Sequence, residues 1–341
     1  MRTGLAQSLV LAFTLSTAAT VDAAASTPIT VKVMIVSMFG PEGSAWVSGR
    51  KLDQAVTLPG LSPDDPALHC GVDGVCQITT GMGYANAAAS IAALVYSDQL
   101  DLRRTYWLIA GVAGINPHRG TLGSVAWARY LVDGGLQWEL DVRSAPPAWP
   151  TGYTGINTMQ PGDKPALDYR TEVFQLNESL LQRALALSRG VPLTDSAAAQ
   201  QARAAYPAPG NQPPSVLQCD TVSSDTWTSG TRLSERAEAW TRILTDGQGV
   251  QCTTQQEDNA IYEVLKRATA AHRADAQRVM VLRAGSDFDR PAPGGADADN
   301  LLNYRAQGGF EPALANLYRA GNPVVDAIVT EWDRWERGAG D

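Results

Sequence analysis

Clustered positive charge is missing from this chain. Its 341 residues carry 27 Lys and Arg against 35 Asp and Glu, a net charge of −8. No basic run with interleaved aromatics occurs, and phosphate backbones are gripped by clustered cations, so a nucleic-acid partner is disfavoured. Histidine is scarce at three and cysteine at four. The cysteine spacing does not suit zinc, so no metal site is expected, and no cofactor is expected either. No G-x-S-x-G is present, which removes the serine nucleophile elbow. Beyond the N-terminus no segment approaches the roughly 20 apolar residues of a membrane helix. Internal repeats and long linkers are absent too.

What is present is a globular composition, 44% hydrophobic and 18% charged, long enough for one large α/β domain or two smaller ones. Arg2, the apolar stretch Leu9 to Leu15 and the small residues around Val21-Asp22-Ala23-Ala24 have the layout of an export signal. A short membrane anchor is the alternative, but the apolar stretch is too short to span comfortably. Residues 1–25 are therefore read as a signal peptide and residues 26–341 as a single α/β domain, periplasmic or secreted. An oxidising compartment favours disulfides. Cys70 and Cys76 enclose a tight Gly-Val-Asp-Gly-Val loop and are expected to pair, which leaves Cys219 with Cys252. Asn177-Glu178-Ser179 is a glycosylation sequon, meaningful only where the host glycosylates.

Strands are expected at Thr30 to Met38, Gly74 to Thr80, Thr105 to Ala110, Ser124 to Leu131, Leu217 to Val222 and Val279 to Leu282. Gly40, Pro41 and Gly43 read as breakers after the first of these. Helices are expected at Asn86 to Tyr96, Asn177 to Leu187, Ser234 to Thr245, Glu257 to His272 and Leu314 to Trp335. Residues 143–170, rich in Pro, Gly and Trp, read as an irregular excursion. This alternation points to an α/β sheet.

The most telling stretch is Val279-Met280-Val281-Leu282, followed at once by Arg283, Ala284, Gly285, Ser286 and Asp287. Ligands of open α/β sheets sit beyond the carboxyl ends of strands. The stretch therefore delivers an arginine and an aspartate to that place, or else ends in a plain solvated turn, since Asp-Phe-Asp-Arg-Pro is also turn material. Other acids are candidates: Glu42 after the first strand, and Glu257 with Asp258 opening a helix, where a first-turn acid also serves the helix dipole. Trp227 follows a strand and either stacks on a base or covers the core edge. Gly81-Met82-Gly83 joins a strand to a helix, as a phosphate cradle or as tight packing. Asp289 and the Asp297-Ala298-Asp299 run read as solvated charge. His69 and His118 read as structural, with a ligand contact open for His118.

Four segments together carry a family resemblance: TTGMGYANAAAS, IAGVAGINPHRGTLGSVAWARYLVDGGLQWELD, QQEDNAIYEVL and VLRAGSDFDRP. The chain resembles the purine nucleoside permease family over nearly all of residues 26–341, and more distantly the nucleoside phosphorylase/nucleosidase superfamily. That resemblance implies a three-layer α/β sandwich around a central twisted mixed sheet, and a purine nucleoside as small-molecule partner. It places Asp287 as the acid that protonates purine N7. Arg283 matches the arginine that precedes this acid in the hydrolytic nucleosidases. Glu257 matches the glutamate that holds ribose hydroxyls, with Gln256 where a methionine is usual. Trp227 falls where an aromatic stacks on the base, and Glu42 near the carboxylate that orients the attacking water. Ser286, Gly81 and Val112 complete the expected ligand contacts. Superfamily relatives often assemble, so a homo-oligomer is open.

One departure bears on the reaction. Phosphorylases hold phosphate around a G-S-x-G turn, and here the corresponding stretch is Gly111-Val112-Ala113-Gly114 without a preceding arginine. Valine offers no hydrogen bond to phosphate. The reading is an exported protein that binds purine nucleosides and cleaves their N-glycosidic bond with water. The alternatives are a non-catalytic binding or uptake component and, third, a phosphorylase.

Overall fold

The computed structural model describes residues 27–338. The signal-peptide reading of residues 1–25 lies outside the described residues. The principal elements are β1 (Val33–Ser37), α1 (Gly40–Arg50), β2 (Val75–Thr79), α2 (Tyr84–Val95), β3 (Tyr106–Ile115), β4 (Val125–Trp127), β5 (Tyr130–Asp133), α3 (Glu178–Ser188), β6 (Asp220–Ser223), α4 (Thr231–Leu244), β7 (Gln251–Gln255), α5 (Asp258–Ala270), β8 (Val279–Phe288) and α6 (Phe310–Thr330). Most strands join one twelve-stranded mixed sheet.

The long strand β3 organises that sheet. Its first half pairs in parallel with β1, from Val33↔Tyr106 to Val36↔Ile109. Its other edge pairs in parallel with β8 along the whole length. Its last residues take β7 antiparallel, Thr254↔Gly114 and Thr253↔Ile115. From β8 the pairing passes to β4, then through Ala128 and Arg129 into β5, β6 and β7, and so back to β3. The circuit closes half of the sheet around one end of β3.

Strict alternation sorts the strand side chains into two cores. Met34, Val36, Trp107, Ile109, Val279 and Val281 pack with Ile91 and Leu94 of α2 and Ile261 and Leu265 of α5. Val33, Ile35, Tyr106, Leu108, Met280 and Leu282 pack with Trp46 of α1, Leu181 of α3 and Val324 of α6. A period of two puts neighbours on opposite faces, and both faces here are covered by helices, which is why the strands read as continuous apolar runs. These are the three layers that the resemblance implied.

Several expectations need correction. Gly40 and Pro41 do follow the end of the first strand, and they also start a helix that was not expected, α1, with proline in its first turn, where the missing N–H costs nothing. Gly111 to Gly114 is not a turn but the second half of β3. Likewise β8 runs on to Phe288 with every residue buried, which excludes the solvated turn after Leu282. Ser124 to Leu131 divides into β4 and β5, and the C-terminal helix starts at Phe310 and breaks between Thr330 and Trp332. The excursion contributes one strand, Tyr153–Gly155, which pairs antiparallel with Gln137–Glu139 just before it. Both expected disulfides are formed, Cys70 with Cys76 and Cys219 with Cys252. Asn177 caps α3 by accepting from the Leu180 N–H, and its amide nitrogen donates to the Gln277 carbonyl, so its side chain has a structural use. No helix among the described residues is long and apolar enough to cross a membrane.

Candidate active site

The carboxyl ends of β1, β3, β6, β7 and β8 open into a cavity of about 880 Å³. Glu42 reaches it from the first turn of α1. Its Oε2 accepts from the Met38 N–H and its Oε1 from the Val112 N–H, both at 2.7 Å. Burial lifts the Glu42 carboxyl to about 7, against the lowering pull of Arg283 and the two amides. A backbone amide on an inward strand is the anchor here, so Val112 serves through its main chain. Its carbonyl also accepts from Arg283 Nη1 at 3.2 Å.

Arg283 is 1% exposed. Its Nη2 meets Asp258 Oδ1 at 2.5 Å, and Glu257 Oε2 and Gln255 Oε1 each at 3.2 Å; its Nε donates to Asp258 Oδ2 at 3.3 Å. Burial opposes the charge, but Asp258 and Glu257 outweigh it and hold the guanidinium protonated well above its usual range. The fork geometry of arginine suits this two-sided pairing. Asp258, passed over in the sequence as a ligand contact, is its main partner. Gln255, also missed, receives the N–H groups of Glu257 and Asp258 at 2.8 and 3.1 Å and so caps α5. Glu257 itself makes no side-chain cap. Instead its Oε1 accepts from the Gly83 N–H at 3.1 Å, and burial raises its carboxyl despite Arg283. Glu257 stands at the start of α5 as expected, and its side chain also ties that start to Gly83 at the start of α2.

Gly111 is needed at the centre of this group. A Cβ there would overlap Met38 Cε, the flexible end of its side chain, and would stand 2.6 Å from Arg283 Nη1 and 2.7 Å from Glu42 Oε1. Gly111→Ala is expected to cost about 1–3 kcal/mol, as forced overpacking does. The urea midpoint of purified protein reads it; an unchanged midpoint would show that the arginine and glutamate have room to yield.

Asp287 faces the same cavity from β8. A bulge lies between Gly285, paired with Ala113, and Asp287, paired with Gly114. Ser286 is the extra residue, so Ser286 and Asp287 both line the cavity instead of alternating. The Ser286 hydroxyl donates to Asp287 Oδ1 at 2.7 Å, with the Ala113 carbonyl as its other acceptor at 3.2 Å. Burial lifts Asp287 to about 7, the serine pulls it down, and Asp289 pushes it up.

The mouth is aromatic. Trp227, 47% exposed, meets Tyr304 with ring centroids 5.1 Å apart, and Phe39 stacks on Phe310 at 6.1 Å. Tyr304 and Phe310 were not singled out in the sequence, because nothing local marks them as neighbours of Trp227 or Phe39. Gln256 lines the cavity while its amide holds the Asp225 carbonyl at 2.8 Å. Gly81 does not line it; this residue makes a positive-φ turn packed on Asn86, and Met82 is the residue of that turn at the wall. Of the expected contacts, then, Glu42, Val112, Trp227, Gln256, Glu257, Arg283, Ser286 and Asp287 share one cavity and Gly81 does not.

A mixed, partly closed sheet with a cavity at its strand ends, lined by buried acids and one buried arginine, defines a nucleoside phosphorylase-like fold. The 5′-methylthioadenosine/S-adenosylhomocysteine nucleosidase of Neisseria meningitidis superposes with a TM-score of 0.55 at 14% identity, over 88% of this chain and 99% of that one. The futalosine hydrolase of Helicobacter pylori does so with 0.51, again at 14%, over 88% and 98%. At such identity the likeness is one of fold. The sequence itself is more specific: residues 30–339 match the family described as purine nucleoside permease (NUP), and the chain belongs to that family. It is 38% identical to a purine nucleoside permease of Candida albicans over 309 residues, 89% of this chain and 76% of that protein. A probable purine nucleoside permease of Schizosaccharomyces pombe is also 38% identical, over 89% and 90% of the two chains.

Proposed function

We propose that this protein is exported and hydrolyses the N-glycosidic bond of purine nucleosides. The observation that carries this reading is the pair of buried carboxyls, Glu42 and Asp287, both lifted to about 7 and both facing one cavity. Purine leaves poorly as an anion, so an acid at N7 lowers the barrier. Asp287 supplies that proton. Glu42, held by two amides, takes a proton from water as the water oxygen bonds to C1′. The electrons of the C1′–N9 bond pass to the base, which leaves neutral; free ribose is the second product, and solvent returns the proton from Glu42 to Asp287. Glu257 holds the ribose hydroxyls, and Trp227 covers the base. The oxocarbenium-like sugar is stabilised by the acids around it.

Incubation with inosine and with adenosine, each with and without phosphate, tests the reading. Base release independent of phosphate is expected. Release only with phosphate would restore phosphorolysis. Submicromolar binding without turnover would favour capture of nucleoside for a membrane partner, the reading that the names of the curated relatives suggest.

The pH profile should be a narrow bell. Asp287 must carry its proton, which it does below about 7, and Glu42 must be ionised, which it is above about 7. Both conditions are met together only near neutrality, with rates falling roughly tenfold per pH unit on each flank. A flat profile from pH 5 to 9 would remove both groups from the proton transfers.

A further inference from the structure

Two residues beyond Asp287 lies an acid that its sequence marks as solvated. The structure buries it: Asp289 is 2% exposed and Arg290 is 3% exposed. Arg290 Nε donates to Asp289 Oδ1 at 2.9 Å and its Nη2 to Oδ2 at 3.3 Å. The same Nη2 reaches Glu238 of α4 at 2.8 Å, and His118 at the surface stands 4.0 Å from Glu238. From the cavity outward the order is Asp287, Asp289, Arg290, Glu238, His118.

The main chain here is fastened. The Asp289 N–H donates to the Ile115 carbonyl at 3.0 Å, and its carbonyl accepts from the Gly230 N–H at 2.9 Å and the Ser234 hydroxyl at 3.0 Å. The Arg290 carbonyl accepts from the Tyr206 hydroxyl at 3.0 Å. Asp287 Oδ2 and the Asp289 Cα both lie within 4 Å of one point beside Gly114, at 3.6 and 3.8 Å. The Asp289 main chain therefore lies close to the Asp287 carboxyl, and Arg290 holds the Asp289 carboxyl against the burial that raises it.

We propose that Asp289 is a positioning residue for the acid of the proposed reaction: its charge, held by Arg290, adds to burial in keeping the proton on Asp287. The inference rests on the reading of Asp287 as that acid. Its physics is that like charges close together in a dry interior do not both ionise readily, so the acid with a cationic partner ionises and the other stays neutral. Arg290 pairs with Asp289, and among the described residues Asp287 has only the Ser286 hydroxyl. The groups facing Asp287 from the other elements fit this division. Glu42, Glu257 and Arg283 lie across the cavity, where Arg283 is engaged by Asp258 and Glu257. Tyr206, behind, is held neutral, since burial and then Asp289 push its phenol up. Solvent reaches this charge chain at His118, which is 55% exposed.

The test is the titration of Asp287 in unliganded protein, followed by the carboxyl carbon signal of 13C-labelled aspartate, with Asp287→Asn to assign the signal. In Asp289→Asn the Asp287 midpoint should fall by about one pH unit, the size expected for a like charge ~10 Å away at an effective dielectric of about 20. The triple variant Asp289→Asn, Arg290→Gln and Glu238→Gln removes the whole group, strands none of its charges and takes away net negative charge, so it should move the midpoint in the same direction, which covers the case where the single variant folds poorly. The alkaline flank of the base-release profile should fall with it. An Asp287 midpoint within 0.3 of wild type in a folded variant, roughly the reach of a remote surface charge, would overturn the proposal. That readout needs no turnover, so a wild-type protein without base release would sink the hydrolytic reading and leave this measurement standing.

Discussion

Asp287→Asn is expected to lose base release by about 10²–10⁴-fold, the usual worth of a positioned proton donor, and to gain stability at alkaline pH. The amide keeps an oxygen for the Ser286 hydroxyl but has no acidic proton to give. The stability sign follows from burial. Asp287 is lifted in the folded protein from an ordinary 3.8 to about 7. Between these values the folded state holds a proton that the unfolded chain has lost, so the wild type loses stability as pH rises through this window. Above about 7 the folded protein carries a buried charge at full cost. The variant titrates nothing there. Its advantage should be near zero at pH 4 and reach on the order of 2–4 kcal/mol at pH 8. Urea midpoints at both pH values, beside a base-release assay, check the pair. A variant that is inactive but no more stable at pH 8 would mean that Asp287 is solvated and ionised in the folded state.

Arg283→Met is expected to be the most damaging change to folding. Its guanidinium stands among Asp258, Glu257 and Glu42, all buried. Removing one partner of a buried ion pair costs about 3–5 kcal/mol, because the abandoned charge stays behind. The stranded acids can recover part of this by taking up protons. The deficit should therefore be larger at pH 8 than at pH 5, opposite in sign to the pH response of Asp287→Asn. Base release should fall as well, since losing Arg283 removes the largest influence that opposes burial at Glu42, and the two amides alone leave it protonated to higher pH. Equal stability of variant and wild type at pH 8 would show that the three acids are already neutral with Arg283 present.

The strands were legible because the alternation that sorts Val33 from Met34, or Met280 from Val281, is local. The Arg283 to Asp287 stretch was legible as chemistry because it follows such a strand. What was not legible depends on partners far away in sequence. Gly40 and Pro41 look like breakers until α1 finds Trp46 a place against α6, and the run Gly111 to Gly114 looks like a turn until β8 pairs along it. The bulge at Ser286 is a property of two strands and not of one. Asp289 is the sharpest case. In sequence it sits in turn-like Asp-Phe-Asp-Arg-Pro, and only partners distant in sequence, Ile115, Gly230, Ser234 and Tyr206, show that this segment is packed inside. Asp258 was visible as an opening acid, but its bond to Arg283 spans 25 residues that include all of α5.

The Val112 main chain has a consequence for how the protein is made. Its N–H holds a residue 70 positions earlier and its carbonyl holds one 171 positions later. Contacts of such separation form late, after the entropy of closing long loops has been met. No fragment ending before β8 contains both halves of the cavity. A nucleoside that binds it can therefore recognise only the finished chain, and it would favour that state by mass action without aiding any intermediate. Refolding in the presence of ligand should slow unfolding and leave the rate of folding as it was.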